Sequence, residues 1–226
     1  DQPTLNAIRN STIPIVLGVR HLGFGSIDYV GPNYFLGMQL ATRHLLDLGH
    51  KNIALVGGFP ENTAYAERLG GFRMSISSDG DPAIQTTEMV GPATAEFGMA
   101  AIEQLLAMQS PPTAIIGYND HLCFGLLAGA RDAGLTPGQD IAIVGFDDVH
   151  ASAQQSVPLT TVSTPPARIG AEMARLLEAR LANPSAQAVH IIPPPVLKIR
   201  KSCGDLRGVD PVFVAEQNKS YVGQRN

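Results

Sequence analysis

The 226-residue sequence contains no tryptophan and two cysteines, and only 6% of its residues are aromatic. Two cysteines cannot build a disulfide framework. Cys123 sits in an apolar helical context and Cys203 near the end of the periodic pattern, so reduced thiols and a cytoplasmic setting are expected. Excess positive charge is also lacking: 16 Lys and Arg against 20 Asp and Glu leave a formal charge of −4. Without a basic stripe to neutralise phosphates, the chain is not a nucleic-acid binder by itself. No apolar run reaches bilayer-spanning length, and the opening "DQPTLNAIRN" lacks the charged-then-apolar pattern of a secretory signal. No serine sits in a G-x-S-x-G elbow, and the six histidines are scattered without zinc-ligand spacing. The glycine-rich "VGGFPEN" at 56–62 fits neither G-x-x-x-x-G-K-[ST] nor G-x-G-x-x-G, and reads as a tight turn. No metal, no cofactor and no enzymatic activity are expected.

What is present is an alternation of short apolar runs with amphipathic segments. Strands are expected at 13–19, 52–58, 86–90, 113–118, 140–148, 189–192 and 196–200, with a short extended piece at 26–30. Helices are expected at 33–49, 64–76, 93–108, 120–134 and 167–182. In the first, Leu36, Leu40, His44 and Leu48 fall on one face, and Gly49 is placed to stop it. This order implies βαβ units and an α/β fold with parallel, doubly wound sheets covered on both faces.

The run "IAIVGFDDVH" at 141–150 raises a specific question, because an interior strand ends in two adjacent carboxylates. In open α/β sheets ligands bind beyond the carboxyl ends of the strands, and Asp147 lies at one. Gly57 and Gly58, Asn119 and Asp120, and the loop after Val90 lie at others, which makes one polar rim. Adjacent residues of an extended chain point to opposite faces, so Asp147 and Asp148 do not form a general acid–base pair. An idle charge at the end of a buried strand is costly, which favours a binding role for Asp147. Asn119 can donate and accept, and Arg68 offers a planar fork or else is a solvated helix charge. Asp120 reads as a helix N-cap.

The stretches "GMQLATRHLLDLGHKNIALVGG" (37–58), "ERLGGF" (67–72), "PTAIIGYNDHLCFGLLAGARDAGLTPGQDIAIVGFDD" (112–148), "PLTTVSTPPARIGAEMARLLEARL" (158–181) and "LKIRKSC" (197–203) occur in order. Together they resemble the effector-binding region of the lactose/galactose repressor family, which shares its fold with periplasmic sugar-binding proteins of type I. The resemblance covers about residues 14 to 203. It implies two lobes: 1–32 plus 161–191 as an incomplete N-terminal lobe, and 33–160 plus 192–204 as the C-terminal lobe. The tail 205–226 stays unassigned. By the resemblance, Arg68, Asn119 and Asp147 contact a small hydroxylated effector, and Phe124 and Gln155 make contacts in a homodimer. It also implies that DNA is reached only through a head domain outside this sequence. A solute-binding protein of a sugar transport system is the alternative, with a different partner for the same fold.

Overall fold

The computed structural model describes residues 6–8, 10–21, 27–61 and 63–204. The tail 205–226 and the start of the 26–30 piece therefore lie outside the described residues. The chain forms β1 (Val16–Gly18), β2 (Asp28–Val30), α1 (Tyr34–Asp47), β3 (Asn52–Val56), α2 (Thr63–Asp79), β4 (Gln85–Met89) and α3 (Ala95–Leu106). There follow β5 (Ala114–Gly117), α4 (Asp120–Asp132), β6 (Ala142–Asp147), the short α5 (His150–Ala153), β7 (Thr160–Ser163), α6 (Pro166–Ala182), β8 (His190–Ile191) and β9 (Val196–Lys198).

These strands make two sheets. The larger has the order β4-β3-β5-β6-β7-β9, and the smaller β1-β2-β8. All pairings are parallel except β9 against β7. β7 carries the larger sheet to Ser163, so the passage toward the smaller sheet falls about three residues later than the expected boundary at 160/161. The chain crosses between the sheets at 31–33, again through α6, and a third time between β8 and β9.

The continuous apolar runs divide by the two-residue period of a strand. Ile53 and Leu55, Ala114 and Ile116, and Val144 and Phe146 face the cluster that holds Tyr34, Met38 and Leu45 of α1 and Phe72 of α2. Their neighbours Ala54, Val56, Ile115 and Ile143 face the opposite cluster, with Ile102 and Leu105 of α3 and Leu122 and Leu126 of α4. Each fully buried Leu, Ile or Phe contributes about 2 kcal/mol relative to exposure, so both helical layers are needed to cover this sheet. The smaller sheet packs Val30 with Ile169 and Leu176 of α6, flanked by Val16, Met173 and Ile191.

Helix ends follow local chemistry. Asn33 caps α1 by accepting from Leu36 N at 2.9 Å, and Thr94 and Asn119 cap α3 and α4 in the same way. Gly49 stops α1 as expected, while His50 N closes back on Leu45 O at 3.0 Å. The buried stripe of α1 differs from the expected one. It is Tyr34, Met38, Ala41 and Leu45, whereas Leu36, Leu40, His44 and Leu48 are half-buried. Gly37 and Ala41 let the helix lie close on Phe146 and Val162, so the small residues take the seam and the leucines flank it.

Candidate functional site

The strand order places a topological switch between β3 and β5, since the chain leaves β3 first to β4 on one side and then to β5 on the other. The carboxyl ends of β3, β4, β5 and β6 all lie on one edge because their pairings are parallel. The rim expected from the sequence is therefore present. Gly57 and Gly58 both have φ +91°, and a Cβ on Gly58 would strike Tyr65 and Tyr118, so this corner can be lined only by backbone.

Arg68 is the centre of the rim. It belongs to the buried stripe of α2, with Ala64, Tyr65, Gly71, Phe72 and Ser75, and is only 4% exposed. A solvated helix charge is thereby excluded. Its guanidinium lies 4.0 Å from the centre of the Phe146 ring, 4.2 Å from Tyr118 and 4.7 Å from Tyr34. Nη1 donates to the Tyr118 carbonyl, and Nη2 donates to Asp147 Oδ1 at 3.3 Å. Nε is buried and has no partner among the described residues. A buried donor left open is rare in a folded protein and marks a place where a ligand or water completes the bonding.

Asp147 ends β6, and its side chain keeps 38% of its exposure. Oδ1 receives the Arg68 bond, and Oδ2 has no partner among the described residues. Burial pushes this carboxyl up to about 6, with Arg68 drawing it down in part and Asp120 pushing it up. Asp148 takes a separate direction and pairs with Arg200 at 2.6 Å, so the two carboxylates do not share a ligand.

Two readings of the neighbouring loop change. Asn119, not Asp120, is the N-cap of α4: its Oδ1 accepts from Leu122 N at 2.9 Å, leaving the Nδ2 amide as its donor. Asp120 is instead 0% exposed and accepts from Val149 N at 2.9 Å, Ser152 Oγ at 2.6 Å and Thr161 Oγ1. Sequence reasoning also missed the rings of Tyr34, Tyr118 and Phe146. A signal was available, because an aromatic residue stands immediately before the polar strand-end residue in both Tyr118-Asn119 and Phe146-Asp147.

Arg68, Asn119 and Asp147 are thus brought to one place. Phe124 and Gln155 are elsewhere and half-buried: Phe124 stacks edge-on with His121, and Gln155 donates to Ala151 O at 3.1 Å. Beside the rim, where the two sheets meet, is a hollow of about 250 Å³ lined by His21, Tyr29, Asn33, Phe35, Glu67 and Ile192. His21 Nε2 lies 2.5 Å from Glu67 Oε1, which ties the loop after β1 to α2. Cys123 and Cys203 are buried and unbridged. Among the described residues no group of His, Cys, Asp and Glu is arranged to hold a metal, and no helix is long and apolar enough to cross a membrane.

This arrangement can grip a polar ligand through a guanidinium, a carboxylate and an amide. The model of the periplasmic binding protein-like domain matches residues 42–203. The HTH-type transcriptional repressor PurR of Pasteurella multocida is 32% identical over 202 residues, 89% of this chain and 60% of the relative. The chain thus spans about 60% of the length of such curated relatives. The crystal structure of a regulatory protein of the LacI family from Chloroflexus aggregans is 30% identical, with a TM-score of 0.82 over 90% of this chain and 73% of that one. A LacI family transcriptional regulator from Enterococcus faecium with bound ribose is 28% identical, with a TM-score of 0.79 over 86% and 72% of the two chains. Two sheets joined by three crossings, a polar rim at a switch point and this set of relatives lead to one assignment: the chain belongs to the LacI family of transcription regulators and carries their periplasmic binding protein-like domain.

Proposed function

We propose that the chain is the effector-sensing part of a sugar-responsive transcriptional repressor. A small hydroxylated ligand binds at the rim, between the part built on the larger sheet and the part built on the smaller one. The observation that carries this reading is the Arg68–Asp147 pair. A nearly inaccessible guanidinium with an open Nε–H stands beside a carboxylate with an open oxygen, both backed by aromatic rings. Vicinal hydroxyls match such a donor–acceptor pair, and sugar C–H faces stack on aromatic rings. Asn119 supplies a further amide donor. The ribose bound to the Enterococcus relative supports the ligand class, and the regulator names of the relatives favour this reading over transport.

The ligand is bound and released unchanged. Its effect comes through differential affinity: binding that is tighter in one orientation of the two parts shifts the population toward that orientation. On this chain the two parts are joined by the three crossings, and His21–Glu67 ties the loop after β1 to α2. DNA is reached through a head domain of the whole regulator, and the regulator acts in the cytoplasm. Phe124 and Gln155 are assigned to a homodimer contact, which a sedimentation mass of one chain at micromolar concentration would contradict.

The experiment that tests the reading is thermal unfolding with pentoses, hexoses, disaccharides, sugar phosphates and nucleobases. A ligand specific for the folded state stabilises it by RT ln(1 + [L]/Kd). A sugar at about 100 Kd adds about 2.7 kcal/mol, a rise of several degrees. A rise with a sugar supports the proposal. A rise only with a nucleobase moves the ligand class, and no rise with any compound contradicts the site.

A further inference from the structure

We propose that Arg200 is a positioning residue for the ligand site, holding the Asp147 carboxylate in place through Asp148. The inference rests on the reading of Asp147 as a ligand-contacting group and adds what fixes it. Asp147 has φ 112° and Asp148 φ 58°, so two successive residues with full side chains sit where L-residues rarely do. Such a turn persists only where its surroundings over-determine it.

The contacts that do so come from two sides. Arg200 Nη2 donates to Asp148 Oδ1 at 2.6 Å, and Nη1 donates to Leu159 O at 2.8 Å. The backbone N of Arg200 donates to Thr160 Oγ1 at 2.8 Å, so the main chain of Arg200 is also anchored to the start of β7, inside the larger sheet. On the other side, buried Asp120 accepts from Val149 N and Ser152 Oγ, which pins the residue after Asp148. With Asp148 and Val149 both tied, the Asp147 side chain is directed at Arg68. Only a planar fork can reach the Asp148 carboxylate and the Leu159 carbonyl together, so lysine is not an equivalent. Charge follows the same pattern: Asp147 and Asp148 each have a guanidinium, while Asp120 is held by two hydroxyls and one backbone N–H.

The test reads the Asp147 carboxyl by carbon-13 NMR titration without any ligand. In the wild-type chain the midpoint is expected at about 6, raised by burial. Losing a nearby cation would by itself raise it, whereas release of the turn into water lowers it toward the ordinary carboxylate range. Arg200→Met is expected to lower the midpoint by roughly one unit or more. Arg200→Lys keeps the charge and drops the second bond, and is expected to lower it by less. A midpoint that stays or rises in both variants overturns the proposal. Calorimetry with D-ribose on the same samples tests the underlying site separately. Ribose binding that weakens in step with the fall supports both readings. A fall in midpoint in a protein to which no sugar binds leaves the positioning role standing and removes the sugar reading.

Discussion

Arg68→Ala is expected to reduce sugar affinity by about 100-fold. Hydrogen bonds to charged groups are worth about 1.5–3 kcal/mol each, and 1.4 kcal/mol is a factor of ten in affinity, so losing the Nε donor and the fixed Asp147 together amounts to about 3 kcal/mol. The same change acts on the fold. It removes a guanidinium packed against three rings, its hydrogen bond to the Tyr118 carbonyl and its ion pair with Asp147. A loss of about 2 kcal/mol of stability follows, and a melting temperature about 5 °C lower. Calorimetric titration with the sugar that raises the wild-type melting temperature reads the first effect, and thermal unfolding the second. An alanine variant that binds within twofold of wild type would place the ligand elsewhere on the molecule.

Gly125→Val carries the largest effect expected on the fold alone. Helices α3 and α4 touch backbone to backbone. A Cβ at Gly125 would lie 1.8 Å from the Ala95 carbonyl oxygen, and one at Gly98 would lie 2.2 Å from the Leu122 carbonyl oxygen. Neither obstacle is a flexible side chain, so the helices must separate, and overpacking of this kind costs about 3 kcal/mol. Separation of α4 also disturbs Asn119 and Asp120 at its start, so ligand affinity should fall with stability. Gly170 in α6 provides the control. Nothing lies within 4 Å of a Cβ there, and Gly170→Ala is expected to stabilise the chain by about 0.5–1 kcal/mol through helix propensity. Urea unfolding measures both. A valine at 125 with an unchanged midpoint would mean that the two helices are not in contact as described.

The layered fold was legible because it rests on local periodicity. Continuous apolar runs such as 114–116, followed by an amphipathic helix and a stop at Gly134, leave few alternatives to a parallel sheet with helices on both faces. Asp147 was legible for a related reason, since a charge at the end of such a run needs a purpose. What escaped depends on distant partners. Arg68 occupies a position in the buried stripe of α2 that an apolar residue would normally fill, and nothing within the helix distinguishes a buried arginine from a solvated one. The exchange of roles between Asn119 and Asp120 turns on Ser152 and Thr161, some 30 and 40 positions away. The stripe of α1 shifted because Gly37 sets how closely the helix approaches Phe146, a property of the pair rather than of either segment. Arg200 lies 52 residues beyond Asp148, so no spacing could have joined them.

Burial lifts the Asp147 carboxyl to about 6, so the group that receives the ligand changes charge between pH 5 and pH 7. With its midpoint at about 6, the carboxyl is mostly protonated at pH 5 and mostly ionised at pH 7. Ligand hydroxyls donate to the ionised form. Because apparent affinity scales with the competent fraction, it should rise roughly tenfold from pH 5 to pH 7. Asp147→Asn cannot ionise and should bind weakly at both values. The most direct measurement is therefore calorimetric titration of wild type and Asp147→Asn at pH 5 and pH 7, with the sugar that raises the wild-type melting temperature. The account predicts about a tenfold gain for wild type and a flat, weak response for the variant. A wild-type affinity independent of pH, or a variant that binds as tightly as wild type, would contradict it.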